Sequence, residues 1–106
     1  MSYELIIKDS VAGTALLVKA GKIEVDIVHA VNTAAAASYL QLFDAAAAAD
    51  VTVGTTLPRV VLKSAANDPA ELLLDGCVFQ LGLVVASTTA ALGATGATQH
   101  ARFGVR

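Results

Sequence analysis

The residues Ile23 to Val31 read IEVDIVHAV, and their spacing restricts what this chain can fold into. Apolar and polar side chains alternate residue by residue, the period of an extended strand with one wall on a core and the other partly wet. Ile23, Val25 and Ile27, with His29 or Val31 after them, face one side, and Glu24, Asp26 and Val28 the other. The same short-range signal recurs along the chain, punctuated by turn residues, and nowhere gives way to a sustained 3.6-residue period. Tyr3–Lys8 is a β-rich run with Asp9-Ser10 as turn chemistry. Ala15–Lys19 is entered through Gly13-Thr14 and left through the tight-turn signal Ala20-Gly21-Lys22. Arg59–Lys63 follows Pro58, and Ser64 to Pro69 reads as a loop. Asp68 and Pro69 have the chemistry to open a helical turn. A strand over Glu71–Leu74 is the better reading, because Asp75-Gly76 is a turn signal. Cys77–Thr89 makes one long or two broken strands, with Gly82 as a bulge or a close approach. Leu92 to Gln99 has no periodicity, and His100–Val105 is a last strand.

About eight strands at intervals of roughly 8–12 residues describe an all-β chain, a single β-sandwich domain over residues 1–106 with a jelly-roll-like arrangement. Ile27, Leu42, Leu62, Val78, Leu83 and Phe103 are the expected core contributors. The competing fold places a helix over Ala34–Ala49, since alanine is the best helix former. Against it stand Tyr39, Phe43 and the strict alternation around them.

The stretch from Ser38 to Pro58 organises the middle of the chain. Tyr39, Gln41 and Phe43 point one way, and Leu40, Leu42 and Asp44 the other. Gly54 to Pro58 breaks the chain and starts the next extended segment. Between them, Ala45–Ala49 lies between Asp44 and Asp50 and is too short for an independent helix. A connection this small and polar belongs on the surface. Its residues Ala45, Ala46, Ala47, Ala48, Ala49, Asp50, Val51, Thr52, Val53, Thr55 and Thr56 are the candidate contact with a neighbouring subunit.

Composition points to assembly. Hydrophobic residues make up 56% of the chain and charged ones 15%, against roughly 25% charged in ordinary globular domains. So few charges imply that part of the exterior is buried against other copies or a larger body. The formal net charge is −2 without any basic run, which excludes a phosphate-binding surface and hence nucleic acid. No apolar run reaches the roughly 18–20 residues of a membrane span. Met1 to Glu4 lacks the basic start of a secretory signal, so synthesis in a cytoplasm is expected.

No catalytic or cofactor set emerges. His29 and His100, the two histidines, share no metal-ligand spacing with Asp26 or Asp44. Cys77, the single cysteine, lies in an apolar run and reads as a core residue rather than a nucleophile. Ser87-Thr88-Thr89 and Thr55-Thr56 suit strands and turns, with no GxSxG elbow near them. Asp44 is better suited to capping a turn than to holding calcium with Asp50. Gly93 and Gly96 are followed by no lysine and are not a phosphate loop. The chain is expected to be no enzyme, with no cofactor and no metal.

A strand ending in YLQLFDA, an alanine-rich loop and then VGTTLP together resemble a group of small virion structural proteins encoded by tailed bacteriophages. Phe79–Thr89, with Gly93 to Gly96 after it, resembles the same group. The resemblance implies a virion location and, most directly, a capsid decoration (cement) protein bound outside the shell. Its implied partners are the major capsid protein and copies of itself, commonly as a homotrimer. The alternative within the resemblance is a fibre or tail-tip domain that binds a host surface. Such a domain usually presents aromatic platforms on loops. Trp is absent here, and Tyr3, Tyr39, Phe43, Phe79 and Phe103 all fall in expected strands.

Overall fold

The computed structural model describes residues 4–106. Tyr3, the expected start of the first strand, lies outside the described residues. Eight strands follow in order: β1 (Glu4–Val11), β2 (Leu16–Ala20), β3 (Ile23–Val31), β4 (Ser38–Asp44), β5 (Val60–Ser64), β6 (Pro69–Phe79), β7 (Gly82–Thr88) and β8 (Gln99–Val105). A single 3-10 turn at Ala48–Asp50 is the only helical piece among the described residues. Ala34–Ala49 therefore does not form the competing helix.

The strands make two four-stranded sheets, ordered β1-β8-β3-β6 and β2-β7-β4-β5. Every pairing is antiparallel. Only β4 and β5 are both consecutive in sequence and neighbours in one sheet, and each of the other connections crosses between sheets. This is the jelly-roll order, a β-sandwich wound from two Greek keys. The sheets close on Val25, Val28, Leu40, Leu42, Phe79, Leu83, Val85 and Phe103, all fully buried. One end of this interior is polar. Gln99 of β8 accepts from Ser64 Oγ of β5 at 3.1 Å and donates to Ser87 Oγ of β7 at 2.9 Å, so its amide joins the two sheets. Its partners leave both ends of that buried amide satisfied, which is what makes its burial tolerable.

Two expected core residues are displaced, for one reason. β3 does not alternate strictly along its length. Ile23 and Val25 point inward, the register slips between Val25 and Ile27, and Val28 and Ala30 then point inward. Ile27 is consequently turned to the outer face and only partly buried, and Val28 takes the core position. Opposite the slip, β6 carries extra residues at Asp75-Gly76, whose φ values are +48° and +84°. The turn signal read there is a bulge within a continuous strand, where a glycine accepts the left-handed conformation at no steric cost. Val78 beside it is likewise half-buried rather than central. Cys77 also lies at this bulge, partly buried and packed on the core edge. Asp9-Ser10 is an irregularity within β1 rather than its end.

Gly82 opens β7 at φ +149°, and a Cβ there would sit 2.7 Å from the Ala45 carbonyl oxygen and 2.8 Å from that of Lys19. The residue is a close approach, as its isolated position in an apolar run suggests. Asp44 caps the same crossing. Its carboxylate accepts the backbone N–H groups of Gln80 at 3.0 Å and Leu81 at 2.8 Å.

Candidate functional site

The two sheets turn very different outer faces away from the core. On the β2-β7-β4-β5 sheet, Phe43, Val84 and Ala86 point outward yet are buried. The chain covers them itself. The connection after β4 folds back so that Ala45 and Val51 are buried on this face, with Val53, Ala15 and Leu17 packed alongside. A second segment, after β7, lies over Gln41, whose side-chain amide donates to Thr88 Oγ1 at 2.8 Å and to the Gly93 carbonyl at 3.1 Å. Gly13 and Gly96 meet backbone to backbone there, since a Cβ on Gly13 would lie 2.6 Å from Gly96 Cα. Both are small because two loops cross at that point.

The candidate contact loop is thus divided. Ala45 and Val51 belong to the protein's own interior, and the expectation that they contact a neighbouring subunit is corrected. Ala47, Ala48, Val53 and Thr56 are partly buried, and Ala46, Ala49, Asp50, Thr52 and Thr55 remain exposed along its crest. Thr56 secures the loop locally, its hydroxyl accepting the Thr52 N–H at 3.0 Å.

Among the described residues, nothing comparable covers the β1-β8-β3-β6 sheet. Strand register sets its outer side chains in rows across the strands. Leu5 stands opposite Gly104, Gly104 opposite Ile27, and Ile27 opposite Leu73. The next row runs Ile7, Arg102, His29, Glu71. Leu5 is 57% exposed, Ile7 53% and Leu73 73%. In the first row Leu5 and Leu73 are exposed at the two edges of the sheet, Ile27 between them is partly buried and Gly104 is buried, so the apolar exposure of this face lies at Leu5, Ile7 and Leu73. Two depressions lie on this face. One, of ≈ 580 Å³, is bordered by Asp26, Ile27, Leu73, Asp75 and Arg106. The other, of ≈ 240 Å³, is bordered by Ile7, Asp9, His29, Val31, His100 and Arg102, among others. At the first, Arg106 donates to Asp26 at 2.6 Å, and that hydrogen bond holds the guanidinium pKa above its ordinary value.

His29 and His100, two of the residues weighed for chemistry, sit diagonally on one face of adjacent strands, His29 opposite Arg102 and His100 opposite Val31, and both border the smaller depression. Among the described residues no three His, Cys, Asp or Glu side chains converge, as a metal site would require. Ser87 and Thr88 are buried, and their hydroxyls are engaged with Gln99, Gln41 and the Ala90 carbonyl. Sequence reasoning did not single out Leu5, Ile7 and Leu73, and it placed Ile27 in the core. The available signal was ELIIK, in which apolar residues occupy both faces of one strand. No family model, curated protein or solved structure matches this chain.

Proposed function

We propose that this chain is a structural subunit of a tailed-phage particle, bound to the outside of the capsid shell and stabilising it without chemistry. The observation that carries the reading is the exposure of Leu5, Ile7 and Leu73 on one sheet, where no described loop covers them, beside an opposite sheet whose apolar outer face the chain covers with its own loops. The jelly roll is compatible with this role but hosts many others, so the fold alone does not select it. The phage setting comes from the resemblance of Ser38–Pro58 and Phe79–Gly96.

In this reading the open sheet face meets the shell, with the exposed crest Ala46, Ala49, Asp50, Thr52 and Thr55 available to a neighbouring subunit. The mechanism is mass action. A subunit that binds only the assembled shell stabilises it by about 2.7 kcal/mol per site at a hundredfold excess over Kd. Largely apolar contacts survive moderate salt, unlike a charge-steered complex. The test compares particles carrying and lacking this protein during heating. Depleted particles are expected to release their genome at lower temperature. Equal retention would end the cement reading, and labelling on the tail would favour the fibre alternative.

A further inference from the structure

The four sheet edges are not equally guarded. β2 and β5 are five residues long, β2 carries Lys19 and a register slip, and β5 carries Lys63. β6 is long but begins at Pro69 and contains the Asp75-Gly76 bulge. These are the devices by which sheet edges avoid pairing with other chains. β1 is different. From Glu4 to Lys8 it pairs in unbroken register with Val105 to Ala101 of β8, and no described strand pairs with its other side. This segment, ELIIK, has neither proline nor glycine and leaves a row of backbone donors and acceptors open.

The side chains of that edge are complementary to themselves. Laid antiparallel against a second copy about a two-fold axis at Ile6, Glu4 comes opposite the other copy's Lys8, Leu5 opposite Ile7, and Ile6 opposite Ile6. Directly opposed residues of an antiparallel pair lie on the same face. That condition is met here, since Leu5 and Ile7 are on the outer face while Ile6 packs toward the core. A slip of one residue would oppose inner and outer side chains. A slip of two would set a charge against Ile6 in place of the opposite charge. Lys8 has no ion pair among the described residues, and Glu4 meets Lys19 through Oε1 only.

We propose that β1 is a self-association edge, at which two copies of this chain join antiparallel through Glu4–Lys8 into one continuous eight-stranded sheet. The contact is isologous, the commonest kind in homo-oligomers. It extends the outer apolar row across the axis, because Leu5 of each copy adjoins Ile7 of the other. It is two-fold, unlike the trimer that the resemblance implies, and it does not rest on shell binding.

The test uses the purified chain alone, with light scattering behind a sizing column at high micromolar concentration. The wild-type protein is expected at twice the 10.7 kDa chain mass. Lys8→Glu sets Glu4 against a glutamate at both ends of the pair, and Glu4→Lys sets two lysines there, so each variant alone is expected at the mass of one chain. Mixed in equal amounts, the two variants restore both opposite-charge pairs and are expected to co-elute as a heterodimer, an outcome that misfolded variants would not produce. A wild-type monomer or trimer, a dimeric Lys8→Glu variant, or a mixture that stays monomeric would each overturn the proposal.

Discussion

The outer faces of the two sheets differ in their side chains and end in opposite states: one carries an apolar cluster, and the other mixes Leu5, Ile7, Ile27 and Leu73 with Arg102, His29 and Glu71. Phe43, Val84 and Ala86 on one are roofed by the segment Ala45–Val53 and by Ala15 and Leu17. Leu5, Ile7 and Leu73 on the other are more than half exposed. The difference lies in the connections. The long connection from Ala45 to Arg59 joins β4 to β5 within one sheet and has length to spare for folding back over that sheet. The strands of the other sheet are reached by crossings that lead away from its outer face. Between the central strands the difference is smaller: β7 is buried at all seven positions and β4 at five of seven, against five of seven in β8 and four of nine in β3. A jelly roll needs apolar side chains only between its sheets. Apolar side chains outside them must be covered by the chain's own loops or by another molecule.

The contrast is sharpest at Phe43 and Leu73. Truncating Phe43 to Ala is expected to cost about 3–5 kcal/mol of stability, as for a phenylalanine in any core. Truncating Leu73 is expected to change stability by no more than about 0.5 kcal/mol. Urea unfolding followed by circular dichroism measures both, and comparable losses would erase the distinction between the faces. Within the roof itself a smaller contrast applies. Val51→Ala removes buried methyl groups and is expected to cost about 1–3 kcal/mol. Ala47→Lys, whose long side chain can reach water, is expected to stay within about 0.5 kcal/mol. A large loss from Ala47→Lys would mean that the segment is packed more deeply than its crest suggests.

Strand identity was legible from local pattern, because period-two alternation and turn residues are properties of neighbouring residues. Ile23–Val31 has the expected bounds, and Gly82 is the close approach its setting implied. The pattern misled wherever a bulge changed the phase. Strict alternation carried past Asp26 assigns Ile27 to the core, whereas the slip puts Val28 there. Asp75-Gly76 has the chemistry of a turn, and only the facing strand makes it a bulge. The loop Ala45–Thr56 was recognisable as a connection, but not as a roof. That Ala45 and Val51 belong to the interior depends on Phe43 and Val84 meeting them in three dimensions. The free edge of β1 was hidden for a related reason: which strands flank which is a long-range outcome of the winding, and no local signal encodes it.

The central claim is that the uncovered sheet face docks the shell, and binding to decoration-free particles tests it most directly. Purified wild-type chain and Leu73→Asp are titrated onto particles that lack the protein, and the bound fraction is counted after sedimentation. Leu73→Asp replaces an exposed side chain on this face without touching the core, so it should fold normally. It should bind at least about tenfold more weakly, the equivalent of about 1.4 kcal/mol. Ala47→Lys, on the opposite face, should match the wild type. Undiminished binding by Leu73→Asp would contradict the account, and a loss confined to Ala47→Lys would move the contact to the roofed face.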